Sequence, residues 1–352
     1  MAGAGIRVED ARIVQTKQST IAPAHEIACD ESGWEGANLV AGSSDVIAYA
    51  SVRLSVEAAA DCLRELGGRA GQVNREYKAS HVLRADRRST VTSLLGPAGP
   101  IHGNAFVHLT EKAYFVVGRV LDLVLGQSTD AASAGLVVDR RLTGLATALC
   151  REGPEAFGRD RWQAFLAAAN AVLRTWKPRN VREPVDAFVD LVEMLAELDG
   201  SSRLGASLDE LRRARSVAYA ARAELIEHRV LQPALEPLIP ALARTILHWS
   251  RGDGTDVSIV HDEQSALTER RIRRLERQLL PPGRLLRFRQ VDSRTDPRVQ
   301  LADVLAGVAR RLAADELRGR GDAELGRLLG PYIDPASRWS DERSWSRIGP
   351  TR

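Results

Sequence analysis

The chain has 352 residues, enough for one large domain or two ordinary ones. With 44% hydrophobic and 27% charged residues it has ordinary globular composition, which argues against a disordered chain. The formal net charge of +3 demands no polyanionic partner by itself.

Of the 49 basic residues only Lys17, Lys78, Lys112 and Lys177 are lysine. A GC-rich genome gives that bias, and so does phosphate contact, because the guanidinium fork matches phosphate oxygens. Cys29, Cys62 and Cys150 fit no CxxC or zinc spacing, and their odd, sparse count suggests a reducing compartment. The start, MAGAGIRVEDARIV, lacks an apolar signal core, and YFVVGRVLDLVLG, the best apolar stretch, is broken by Arg119 and Asp122. The expectation is a cytoplasmic protein with no membrane partner, its oligomeric state left open.

His25–Asp30 is a short apolar run ending in acid and reads as a buried strand. After the Gly-rich turn GWEGANLVAGSS, Asp45–Leu54 reads as a second strand. Ser55–Leu66, with Ser55 as N-cap and Gly67–Gly68 behind it, reads as a helix. Gln72–Ser80 carries Arg75, Glu76, Tyr77 and Lys78 and is read as extended; Phe106–Leu109 and Tyr114–Val117 are further strand candidates. From about Gly126 strand signals vanish, and Trp162–Trp176 and Pro184–Leu198 have apolar residues at helical spacing. Pro237–Trp249 then reads as helix, Asp256–Val260 as strand, Thr268–Leu280 as a basic helix, Leu285–Val291 as strand and Val299–Ala313 as helix. The pattern predicts an α/β chain: a core in two parts (1–125 and 236–320), a separate all-helical insertion (126–235) and a C-terminal tail (321–352).

Asp30 and Glu31 close the first strand, and Asp262 and Glu263 close DVSIVH. Carboxylates at the ends of neighbouring strands converge however far apart they lie in sequence. An unpaired buried charge costs several kcal/mol, and a divalent cation relieves that cost. Two cations ~3.5–4 Å apart are a common device for phosphodiester cleavage. Adjacent strand residues face opposite ways, so Asp30 is preferred over Glu31 as ligand. On the last helix, Gln300, Asp303 and Gly307 share a face at i, i+3 and i+4 spacing, and Ala302 and Ala306 let it approach a sheet. Glu76 and Lys78, two apart, share a face if extended: one offers a metal ligand, the other a cation for the attacking water or scissile phosphate. No HxxxH pair, Walker loop or GxGxxG is present, which argues against nucleotide-driven or dinucleotide chemistry.

DESG at 30–33, EYK at 76–78, HDEQ at 261–264 and QLADVLAG at 300–307, with VDS at 291–293, together resemble domain-of-unknown-function family 3800. The resemblance covers roughly residues 21–122 and 236–315. It implies a ribonuclease-H-like mixed sheet with flanking helices and a metal-dependent nuclease centre. Asp30, Glu76, Asp262 and Asp303 would hold magnesium or manganese, with Lys78 catalytic and Glu31 and Gln300 in support. A restriction-type centre built on Glu76 and Lys78 makes Asp303 dispensable, and a binding module that keeps the fold needs no metal. Arg270, Arg271, Arg273, Arg274 and Arg277, then Arg284, Arg287 and Arg289, form a basic run beside Asp262. Either it is a solvated face, or Arg270, Arg273 and Arg274 track the backbone of DNA or RNA.

Overall fold

The computed structural model describes residues 25–67, 82–126, 139–175, 181–198, 203–227, 235–250, 255–279 and 284–350. Glu76, Lys78 and the expected extended segment Gln72–Ser80 lie outside them.

One mixed sheet organises the fold. Its strands are β1 (His25–Ser32), β2 (Val46–Val52), β3 (Ala105–Glu111), β4 (Asp256–Asp262) and β5 (Arg284–Val291), in the order β3–β2–β1–β4–β5. β2 is antiparallel to β1 and β3, whereas β4 pairs parallel to β1, and β5 parallel to β4. Both α/β blocks therefore contribute to a single sheet. The parallel β1–β4 pair, with Cys29 opposite His261, sets Asp30 and Asp262 side by side at one end of it.

β2 and β3 are buried along their whole length, as expected of strands covered on both faces. Their alternation divides the interior in two. Ile27, Cys29, Ile47, Tyr49, Phe106, Val257 and Ile259 enter one core. Ala28, Val46, Ala48, Ala50, Val52, Val107, Leu109 and Val260 enter the other. This second face is rich in alanine, and one long helix lies on it: α11 (Pro297–Leu317), fully burying its own Ala302, Ala306 and Ala309. Small residues on both sides bring strand and helix backbones together.

Helix α11 starts where Asp296 caps it by accepting the Arg298 N–H and Pro297 supplies a fixed φ. Arg298, itself buried, pairs with Asp296 and, at 2.6 Å, with Glu26 of β1. Twelve residues further on, Arg310 Nε donates to Ser32 Oγ at 3.0 Å. From Glu26 to Ser32 a strand covers about 20 Å and from Arg298 to Arg310 a helix covers about 18 Å, so the two run side by side in the same direction.

The other face is covered mainly by helices. Tyr114–Val117, expected as strand, belongs to α3 (Lys112–Leu125), which begins where β3 ends. Val116, Val117, Val120 and Leu121 are all inaccessible to solvent, and a helix buried nearly all round gives the same unbroken apolar run as a buried strand. Between residues 139 and 227 the described segments hold α4 (Arg140–Ala156), α5 (Arg159–Leu173), α6 (Arg182–Leu198), α7 (Arg203–Arg213) and α8 (Arg215–Glu227), with no strand. They are not a separate lobe: Trp162, Phe165 and Phe188 join the same core as Ile27, Tyr49 and Phe106, with α3 between. Asn170 of α5 also takes the Leu39 N–H at 3.2 Å and donates to the Ala37 carbonyl at 3.3 Å, fixing the loop after β1. No described helix is long and apolar enough to cross a membrane.

The C-terminal segment is docked. Its chain runs parallel along β3 through bridges Val107–Ile333 and Thr110–Arg338, covering a strand edge that would otherwise present unpaired amides. Asp334 anchors it, fully buried, accepting from His108 Nδ1 at 2.8 Å and from Arg244 Nε and Nη2 at 3.0 and 2.9 Å. Burial works to raise the Asp334 pKa, but these donors outweigh it and hold the carboxyl well below the ordinary range. A depressed folded pKa contributes stability above the unfolded value of about 3.9, lost as pH falls through the folded one. Asp334→Asn is expected to cost roughly 3 kcal/mol at pH 7 in denaturant unfolding. The deficit relative to wild type should shrink as pH is lowered below about 4; a deficit that stays constant would count against an ionised Asp334.

Candidate functional site

The site is built on the alternation of β1. Glu26, Ala28 and Asp30 face α11, while Ile27, Cys29 and Glu31 face the other core. Gly33, which closes DESG, has φ +94°, and a Cβ there would lie 2.4 Å from the Val46 carbonyl and 2.6 Å from Arg310 Cδ. Only glycine lets the chain turn off the end of β1 this close to β2 and α11.

Asp30 is 6% exposed. Burial raises its carboxyl pKa well above the ordinary value, and the negative charges of Glu31, Asp303 and Asp262 raise it further. The Glu31 N–H, 2.7 Å from Oδ1, opposes them. Among the described residues no basic side chain pairs with Asp30 or Asp262. Asp262, on the adjacent strand, is half-buried and accepts the Ser293 N–H at 2.9 Å. The VDS motif explains that bond: Asp292 caps the short turn Ser293–Thr295, which aims the Ser293 amide back at β4. Asp303 and Gln300 are half-buried on α11, and the Asp303 charge acts on Asp30 directly.

The structure thus brings Asp30, Asp262 and Asp303 into one electrostatic neighbourhood. Among the described residues no three His, Cys, Asp or Glu side chains are gathered tightly enough, as they stand, to enclose a metal ion. The donor set nonetheless fits a hard cation: carboxylate oxygens that repel one another, one of them buried without a counter-charge among the described residues. Magnesium or manganese would suit such ligands.

Glu31 lies on the opposite side of β1. Gln264 Nε2 donates to its Oε1, and its Oε2 lies 3.6 Å from His261 Nε2. His261, fully buried, uses Nδ1–H to donate to the Asp262 carbonyl at 2.8 Å, which steadies the backbone that carries Asp262. HDEQ is therefore two devices in one: Asp262 toward α11, and His261 with Gln264 around Glu31. Glu236 completes this side, with burial first and the Glu31 charge last in pushing its carboxyl up to about 7. Nothing in LEPLIP marks Glu236 in sequence, because it sits at a helix entrance where an acid is ordinary.

The basic run is only partly available. Helix α10 (Glu269–Leu279) buries Ile272, Leu275 and Leu279 and leaves Arg270, Arg273 and Arg277 exposed. Arg273 is taken up by Glu269, Arg271 donates to the Ala266 carbonyl, and Arg289 pairs with Glu26 at 3.1 Å. The mutual repulsion expected of so dense a cluster is therefore relieved in part from within. Arg270, Arg277 and Arg287 form no ion pair among the described residues.

Asp30→Asn keeps the shape of the side chain and removes the charge that burial and three neighbouring acids oppose. In chelator-treated protein the variant should melt a few degrees above wild type. Adding magnesium or manganese should raise the wild-type melting temperature and leave that of the variant unchanged; equal shifts would remove Asp30 from any metal site. No family model, curated protein or solved structure matches this chain.

Proposed function

We propose that the chain is a metal-dependent phosphodiesterase acting on DNA or RNA, a ribonuclease-H-like member of domain-of-unknown-function family 3800. The observation that carries the reading is Asp30: a buried carboxylate beside Asp262 and Asp303, with no cationic side chain pairing it among the described residues. Such an arrangement is costly unless a cation resides there at least part of the time. The fold supports the same reading, through the sheet order β3–β2–β1–β4–β5 with β2 alone reversed and a long helix laid on its alanine-rich face.

In this reading Asp30, Asp262 and Asp303 hold magnesium or manganese, and Glu76 joins them from the segment that also carries Lys78. A bound divalent ion supplies a Lewis acid for the phosphate and lowers the pKa of water. The protein's part is orientation. The Ser293 amide and His261 fix Asp262 from two sides, and Arg298 and Arg310 fix α11, and with it Asp303, against β1. Lys78 would steady the attacking water or the scissile phosphate, and Gln300 lies on α11 one helical turn before Asp303.

Cleavage of single- and double-stranded DNA and RNA, with magnesium or manganese and with chelator, tests the proposal. Wild type should cut at least one of the four substrates only with metal, and Asp30→Asn or Asp262→Asn should lower the rate by about a hundredfold or more. Wild-type rates in both variants would refute the centre. Full activity in Asp303→Asn alone would move it to Glu76 and Lys78.

The arginines beside Asp262 should contact the nucleic-acid backbone. Replacing Arg270, Arg273 and Arg274 by alanine should weaken binding equally across sequences and flatten the slope of log K against log salt by about one per lost contact. Arg270→Ala should account for more of that loss than Arg273→Ala, because Glu269 already neutralises Arg273. Charge reversal of Arg212 and Arg213, both occupied by Asp209 on α7, should leave binding unchanged; an equal loss there would relocate the surface to the helical layer.

A further inference from the structure

Asp262 is the last residue of β4, and the chain turns away from the sheet directly after it. Within residues 263–267 the Leu267 N–H donates to the Gln264 carbonyl at 3.0 Å, and α10 follows from Glu269. Gln264 fastens that turn. Its backbone N–H donates to Gln290 Oε1 of β5, and its side-chain Nε2 donates to Glu31 Oε1 of β1. Its own Oε1 accepts the Ala266 N–H at 3.2 Å. Gln290 Nε2 returns to the turn, donating to the Leu267 carbonyl at 3.0 Å. The turn after β4 is thus held by side chains from both strands that flank it, β1 and β5.

Glu31 reaches the chain on both sides of Asp262. Its Oε1 accepts from Gln264, two residues after Asp262, and its Oε2 lies 3.6 Å from Nε2 of His261, the residue before Asp262. His261 is fully buried, and its Nδ1–H donates to the Asp262 carbonyl at 2.8 Å. Glu31 Oε2 makes no hydrogen bond among the described residues, so the Gln264 contact is the one that depends on an acceptor at position 31. Adjacent strand residues face opposite ways, which puts the Glu31 side chain on the face of β1 away from Asp30 and α11. From that face, with Oε1 committed to Gln264, it is placed to brace Asp262 rather than to share an ion with it.

We propose that Glu31 is a positioning residue: through Gln264 and His261 it fixes Asp262 and the turn that leads from it into α10, and it binds no metal itself. The inference rests on the reading of Asp30, Asp262 and Asp303 as a metal centre. The role asks for an acceptor at Oε1 and not for a charge. Glutamine meets that demand, because its amide oxygen can still accept from Gln264. A metal ligand makes the opposite demand, since the charge is what offsets the cation. Residues that orient a metal ligand typically contribute roughly 10–100-fold to metal affinity.

Manganese titration of the full-length protein, with the free ion read by electron paramagnetic resonance, tests the assignment. Glu31→Ala and Gln264→Ala should each weaken manganese binding by about tenfold or more. The double variant should be little worse than either, because both single changes remove the same hydrogen bond. Glu31→Gln should bind within about threefold of wild type. As weak a binding in Glu31→Gln as in Glu31→Ala would make Glu31 a ligand and overturn the assignment. Wild-type affinity in both alanine variants would overturn it too, leaving the bracing a matter of fold alone. Should Glu31→Ala fail to fold, the contrast between Glu31→Gln and Gln264→Ala carries the same test. Asp30→Asn separates this inference from the reading beneath it. No manganese binding by wild type, or equal affinity in wild type and Asp30→Asn, would overturn the centre and the positioning role together. Loss in Asp30→Asn alone would sink the positioning role and leave the centre standing.

Discussion

The arrangement depends on one electrostatic constraint: a carboxylate, Asp30, is held in the interior where desolvation and three other acids all oppose its charge. Such a group is tolerated when backbone, packing and neighbouring elements over-determine its position. Here they do. β1 is clamped between an antiparallel and a parallel neighbour, its alanine-rich flank admits α11 closely, and Arg298 and Arg310 tie that helix to both ends of the strand. Each device lies outside the carboxylate cluster, and together they fix the strand that carries Asp30.

The period of two along β1 divides the chemistry as it divides the hydrophobic cores. Asp30 faces α11 and its Asp303. Glu31 faces His261 and Gln264, and its charge acts on Glu236; of these, His261 supports the backbone of Asp262 from behind. Acids adjacent in sequence thus have separate roles, and a strand register shifted by one residue would exchange them. The helical layer gives β1 and β4 the long parallel crossover they need, and it buries the face on which Glu31 and His261 sit.

Much of this was legible in the sequence because it is local. Apolar runs ending in acid marked β1 and β4, and the small residues at Ala302 and Ala306 foretold the close packing of α11, although its start was read at Val299 and the Asp296 cap before Pro297 went unread. Tyr114–Val117 misled because burial on all sides erases the difference between the two periods. The supposed separateness of residues 126–235 misled for a related reason. An amphipathic helix announces that it buries a face, not what it is buried against; α5 packs on α3, which meets the sheet, and α6 packs on α5. Asp334 and Glu236 gave no signal, since one buried acid in a segment of ordinary composition becomes conspicuous only beside its distant partners, His108 and Arg244 for one and Glu31 for the other. The basic run was visible, whereas the ion pairs that occupy part of it join residues as far apart as Glu26 and Arg289.

The central claim is that the charge at Asp30 is balanced by a divalent ion shared with Asp262 and Asp303. Anomalous diffraction from crystals soaked in manganese examines that claim at the atoms concerned. One or two peaks within about 2.2 Å of carboxylate oxygens of Asp30, Asp262 and Asp303 are the predicted result, absent from crystals of the Asp30→Asn variant. Manganese bound elsewhere, or no peak between these three residues at millimolar concentration, would contradict it.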